Sequence, residues 1–150
     1  NLAEKLRGTV PVIYTSSQNK AVAYNWKIKL KETGKIPAFY NIIPELNHNE
    51  MTGFDIAPST KELSKNFSFV FVFDQEDHPR NIARMKILQK LYHDRGLQTE
   101  MISLKGKTRL EKIFSSLLLA DWTAVYLAEH YGLESEQVPM VEEFKKLIAK

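Results

Sequence analysis

Four groups able to hold or move a proton, Glu32, Glu45, His48 and Glu50, fall within residues 32–50, ETGKIPAFYNIIPELNHNE. They share that stretch with Ile36, Pro37, Phe39, Tyr40, Ile42, Ile43, Pro44 and Leu46. Two prolines prevent one continuous helix, so the stretch reads as a structured connection. A solvated loop rarely carries so much apolar side chain. Carboxylate and imidazole groups held in such a setting suit general acid–base chemistry, in which a positioned side chain takes a proton and returns it. Taken alone, Glu32 is also a solvated helix residue within reach of Lys29 or Lys35, and His48 a histidine satisfied by turn backbone. Ser16 and Ser17 are substrate-binding candidates, because they follow the first strand, where α/β sheets meet their ligands. Helix capping explains the same two serines equally well.

The elements that must position these groups alternate between strand and helix. Val10–Thr15 reads as a short buried strand with Pro11 near its start. Ser16, Ser17, Gln18 and Asn19 supply cap chemistry for a helix from about Lys20 to Thr33, which Gly34 stops. Ala38–Asn41 fits a second short strand. Phe67–Phe73 is apolar at six of seven positions, which suits a strand covered on both faces. Asp77-His78-Pro79 opens a helix whose stripe, Ile82, Met85, Leu88, Leu91 and Tyr92, runs up to Gly96. Thr99–Leu104 reads as another strand and Gly106 as a turn. A long helix from about Thr108 to His130 is apolar nearly all round at 113–120, which predicts that it is buried. Val138–Ala149 reads as a closing amphipathic helix. This alternation implies right-handed βαβ units in a three-layer α/β/α sandwich with a mainly parallel sheet.

Composition limits the function classes. At 150 residues, with 43% hydrophobic and 26% charged content, the chain is that of one soluble globular domain with a real core. A formal charge of +3, with basic and acidic residues intermixed, does not suggest nucleic acid. The longest apolar run is strand-length, so no membrane partner is expected. Nor does the charged start, Asn1–Lys5, resemble the core of a signal peptide. The absence of cysteine fits a reducing cytoplasm. Gly106-Lys107-Thr108 resembles the end of a phosphate-binding loop, but the required upstream glycine would fall on Met101, inside a strand. No GxGxxG follows the first strand. His48, His78, His93 and His130 lie on different elements without metal-ligand spacing, so neither metal nor cofactor is expected. His93 and His130 fit the last turns of helices, and His78 the start of one.

The run PAFYNIIPELNHNEMTGF, with Trp26-Lys27 and Glu32 ahead of it, resembles the bifunctional phosphoglucose/phosphomannose isomerases of archaea and bacteria, specifically their C-terminal SIS (sugar isomerase) domain. PELNHNE is the specific core of that likeness. The likeness extends from Val12-Ile13-Tyr14 through Phe114–Asp121 to Glu142–Leu147, which is essentially the whole chain. It implies that residues 1–150 form a single SIS domain, the C-terminal half of a chain with two. An N-terminal SIS domain would then grip most of the sugar phosphate, and the isolated half would be inactive.

By the same resemblance, Glu32 corresponds to the base that carries a proton between C2 and C1 of the open-chain sugar through a cis-enediol. His48 corresponds to the ring-opening residue, which in this family is expected to reach into the site of a neighbouring subunit of a homodimer. Lys145 corresponds to the lysine at the start of the family's last helix, which assists ring opening, and Lys146 adjoins it. Glu45 and Glu50 cap turns or orient His48. The implied reaction interconverts glucose 6-phosphate, and mannose 6-phosphate as well where specificity is dual, with fructose 6-phosphate. A non-catalytic module that binds sugar phosphates, or a domain that only mediates dimerisation, remains the alternative. Two departures stand out. Asn25 occupies a place where many members have arginine, and the segment that sets epimer choice corresponds only broadly to Ser135–Val138.

Overall fold

A computed structural model describes residues 1–149. The elements run α1 (Leu2–Leu6), β1 (Val10–Ser16), α2 (Lys20–Glu32), β2 (Phe39–Ile43), α3 (Glu50–Gly53), α4 (Lys61–Ser64), β3 (Phe67–Phe73), α5 (Pro79–Asp94), β4 (Gln98–Ser103), α6 (Arg109–His130) and α7 (Pro139–Ile148). Four strands form one sheet in the order β2-β1-β3-β4, and every neighbouring pair is parallel. The expected three-layer α/β/α architecture is therefore present.

Side-chain alternation on the central strands separates two cores. Ile13, Val70 and Val72 face α1, α2 and α6, where Leu6, Trp26, Leu30, Ala120 and Leu127 close over them. Val12, Tyr14, Phe69 and Phe71 face the other way, onto Met85, Leu88 and Tyr92 of α5 and onto Ile43 and Leu46. The near-continuous apolar run of β3 follows from that burial on both faces. Pro11 is tolerated in an interior strand because the β1–β2 ladder begins only at Val12↔Phe39.

Local chemistry sets the helix starts. Thr108 and Glu111 make a capping box, with Glu111 N–H donating to Thr108 Oγ1 at 3.2 Å and Thr108 N–H donating to Glu111 Oε2 at 3.3 Å. Pro79 opens α5, and His78 Nδ1 accepts from the Arg80 N–H at 3.2 Å.

Three expectations differ from the structure. β2 extends two residues beyond Asn41, because its ladder with β1 continues to Ser16↔Ile43. Asn19 precedes α2 without a side-chain cap, since Arg109 and Ser16 engage its amide group instead. The third concerns α6, which has one side buried while Phe114, Leu118 and Trp122 on the other are 65%, 59% and 53% exposed. An all-round apolar pattern requires cover on both sides, and the described chain provides it on one.

Candidate active site

Glu32 is the last residue of α2, and the turn after it is tightly built. A Cβ at Gly34 would lie 2.7 Å from the Leu30 carbonyl oxygen and 3.4 Å from Ala124 Cα, so glycine lets the helix end pass close to α6. Lys35 follows with φ of 59°. Its ammonium donates to the carbonyls of Glu32 and Gln137, which ties the α6–α7 connection against the end of α2. Lys29 pairs with Asp121 at 2.8 Å, and the Lys31 ammonium lies over the Phe39 ring, 5.2 Å from its centroid. Among the described residues, the exposed Glu32 carboxylate thus has no ion-pair partner, although Lys29, Lys31 and Lys35 lie within three positions of it. It sits on the wall of an open groove of about 540 Å³, lined mainly by Ile36, Pro37, Phe39, Val138, Pro139 and Met140.

His48 lies beyond the other end of β2. A 3-10 turn at Glu45–Asn47 follows the strand, and the His48 N–H donates to the Glu45 carbonyl at 2.9 Å. Its exposed imidazole forms no hydrogen bond among the described residues. Four residue steps separate Phe39 from Ile43, which at 3.3 Å each is about 13 Å along the strand alone. Glu32 and His48 of one chain therefore lie beyond opposite ends of β2 in the chain.

The loop that carries His48 is pinned from beneath. The hydroxyl of Tyr14 donates to Glu50 Oε1 at 2.5 Å, and the Asn41 side-chain amide donates to Glu50 Oε2. Leu46 is fully buried between these anchors. Burial pushes the Tyr14 phenol far above its ordinary range, with the Tyr92 phenol and the Glu50 carboxylate acting in the same direction. Burial likewise pushes Tyr92 up to about 12. Both phenols thus remain protonated donors near neutral pH. Nothing in the sequence links Tyr14 to Glu50 and Asn41, although a tyrosine in an aliphatic strand and an asparagine inside β2 are the residues that invite the question.

Lys145 stands in the last turn of α7, not at its start, and pairs with Glu142 at 2.7 Å. Lys146 beside it is also exposed. The beginning of α7 adjoins Glu32, so Lys145 shares an element with the Glu32 groove, whereas His48 does not. Gln137 and Val138, from the segment associated with epimer choice, are on the groove wall. Asn25 leaves its buried Oδ1 without a partner.

Ser16 ends β1, and Ser17 begins the 3-10 turn Ser17–Asn19 that leads into α2. Ser16 is fully buried and accepts from Asn19 Nδ2 at 3.4 Å, and the Ser17 hydroxyl donates to the Ile43 carbonyl at 3.4 Å. Arg109 lies over this loop, donating to Asn19 Oδ1 and, at 2.8 Å, to the Gln18 carbonyl. Beside it, buried Lys112 bonds Asp74 at 2.7 Å and Glu76 at 2.6 Å. Burial would raise the Asp74 carboxyl, but the hydrogen bond from Lys112, that from the Glu76 N–H and the nearby Arg109 hold it below the usual carboxylate range. Sequence inspection missed this ion cluster, whose members lie 38 positions apart.

His130 pairs with Glu4 at 3.0 Å in the last turn of α6. Among the described residues, no three His, Cys, Asp or Glu side chains are grouped to hold a metal ion. No helix there is long and apolar enough to cross a membrane.

A family model described as "Bacterial phospho-glucose isomerase C-terminal SIS domain" matches residues 1–148. This chain belongs to that family. The SIS domain is 34% identical over 149 residues to the bifunctional phosphoglucose/phosphomannose isomerase of Aquifex aeolicus, covering 99% of this chain and 45% of that protein. It is equally 34% identical over 150 residues to the enzyme of the same name from Caldicellulosiruptor bescii, covering 99% of this chain and 43% of that one. The SIS domain thus spans about half the length of the curated relatives it matches. Among solved structures, a glucose-6-phosphate isomerase like protein from Thermus thermophilus superposes with a TM-score of 0.69 at 15% identity, over 93% of this chain and 45% of that one. That likeness is one of fold.

Proposed function

We propose that this SIS domain supplies acid–base groups to a phosphosugar isomerase that interconverts glucose 6-phosphate, and mannose 6-phosphate as well, with fructose 6-phosphate. In this reading the Glu32 carboxylate removes the C2 proton of the open-chain aldose. The resulting cis-enediol takes that proton back at C1, while a proton passes between O1 and O2. His48 from a neighbouring subunit opens the ring, protonating the ring oxygen as the O1 hydroxyl gives up its proton; imidazole suits this because it exchanges protons near neutral pH. Lys145 assists at the ring oxygen once its pairing with Glu142 opens. Ser17 contributes to sugar-phosphate binding in an assembly that includes an N-terminal SIS domain, while fully buried Ser16 holds the Asn19 amide.

One observation carries the proposal. Glu32 is a carboxylate without an ion pair among the described residues, at an apolar groove, with Lys29 held by Asp121, Lys35 by backbone carbonyls and Lys31 over the Phe39 ring. That arrangement suits a proton acceptor, which an ion pair would quench. Gln137 and Val138 line the same groove, which supports a reading in which epimer discrimination occurs beside the proposed base. The test is Glu32→Gln in the full-length polypeptide, assayed for turnover of both sugar phosphates. General-base loss predicts a fall of about 10²- to 10⁴-fold in kcat with both substrates. Unchanged turnover would instead support a domain that only binds sugar phosphate or mediates dimerisation.

A further inference from the structure

Helix α6 carries a second apolar face that the described chain leaves uncovered. Leu110, Phe114, Leu118, Trp122 and Tyr126 follow one another at four-residue intervals, and all are exposed. Side chains at that interval form a continuous ridge, the feature that interdigitates when helices pack together. Trp122 and Tyr126 are already stacked, with ring centroids 5.8 Å apart. Of the two acids set among them, Asp121 is neutralised by Lys29 and Glu111 is engaged by the capping box with Thr108. A contiguous apolar surface of this kind marks an interface.

Next to the ridge the sheet is unfinished. Among the described residues, β4 has β3 on one side and no strand on the other. The Leu104 N–H donates to the Phe73 carbonyl, so alternation along the strand turns the peptide groups of Met101 and Ser103 outward. A cleft of about 400 Å³ runs between that edge and α6, lined by Met101, Ser103, Ser115 and Leu119 among others.

The start of the chain lies at the same place. Asn1, Leu2 and Lys5 share a hollow with Glu100, Ile102 and Leu119, and Lys5 pairs with Glu100 at 2.8 Å. The matched family is described as a C-terminal domain, and the curated relatives are about twice as long as this chain. Their additional length therefore precedes the position of Asn1, and polypeptide entering there arrives on the β4 edge and the α6 ridge. We propose that this ridge and edge form the docking surface for the N-terminal half of the same polypeptide, not for a second copy of this domain. The docking requires neither Glu32 nor His48 to be catalytic, so its test and that of the isomerase reading fail independently.

The sequence contains no cysteine, which permits a direct measurement. Leu118→Cys on the ridge and Ile87→Cys on exposed α5 are mild changes at accessible positions. Each is placed in the full-length polypeptide and in the 150-residue chain, and alkylation of the new thiol is timed by peptide mass analysis. In the full-length protein, position 118 is expected to react at least about tenfold more slowly than position 87. In the 150-residue chain the two should react at similar rates at any protein concentration. Equal rates in the full-length protein overturn the proposal. Protection of position 118 in the short chain that grows with protein concentration also overturns it, assigning the ridge to a second copy.

Discussion

Removing the Tyr14 hydroxyl tests whether the loop bearing His48 is fixed from below. Tyr14 is fully buried, and its ring packs on Phe69 and Phe71 with centroids 5.5 and 5.3 Å away. Tyr14→Phe keeps that packing and deletes only the donor to Glu50 Oε1. A hydrogen bond to a charged group contributes about 1.5–3 kcal/mol. Asn41 still donates to the other oxygen, and the Tyr92 hydroxyl, 3.5 Å from that of Tyr14, offers a partial replacement. The expected loss is therefore toward the middle of that range, about 2 kcal/mol. For a chain of this size, that corresponds to a fall in Tm of about 4–8 °C. Urea unfolding followed through the fluorescence of buried Trp26 measures it, with a double-mutant cycle against Glu50→Gln. Coupling of more than about 1 kcal/mol is expected between the two substitutions. A loss below about 0.5 kcal/mol, or additive effects, would refute the claim that Tyr14 anchors Glu50 and the loop.

Two further outcomes follow from the arrangement of charged groups. If each active site combines Glu32 of one subunit with His48 of another, mixing full-length Glu32→Gln and His48→Gln proteins by co-refolding should restore activity that neither has alone. In a two-fold dimer, random pairing leaves about one quarter of the sites intact, so recovery near that level is expected, and no recovery counts against shared sites. The second concerns Asp74, whose carboxyl titrates below its ordinary range in the folded chain. Its contribution to stability is complete above the unfolded carboxylate pKa and is lost as pH falls through the lower, folded value. A urea-unfolding series from neutral to strongly acidic pH should show that loss, and Lys112→Met should flatten it; an unchanged slope would contradict the pairing.

Strand β3 was legible in the sequence because burial on both faces leaves a run of apolar residues that few other environments tolerate. The start of α6 was legible because Thr108 and Glu111 are only three positions apart and act locally. The partial exposure of α6 was not, since an apolar pattern specifies that a face is covered without specifying by what. Capping by Asn19 failed for a related reason. Its amide was taken by Arg109, 90 positions away, and competition over that range leaves no local trace. The Tyr14–Glu50 bond spans 36 positions and is equally invisible. Family resemblance, more than spacing, singled out Glu32 and His48. Spacing alone could not show that Lys29 and Lys35 would leave the Glu32 carboxylate unpaired, which required Asp121 and Gln137 to fold up beside them.

The geometry of β2 bears on how such groups could act together. The strand is paired with β1 along its whole length, from Val12↔Phe39 to Ser16↔Ile43, so the distance it sets between its two ends cannot relax without breaking the sheet. Glu32 precedes one end and His48 follows the other. The reacting atoms of a hexose phosphate, C1, C2 and the ring oxygen, lie within two bonds of one another, a span far shorter than the roughly 13 Å length of the strand. The shared-site reading proposed above meets this layout with a two-fold axis, which would turn the His48 end of one domain toward the Glu32 end of the next and create two equivalent sites at once. A strand is the shortest rigid element that can keep these two groups apart within a chain while leaving each free to meet its counterpart across an interface.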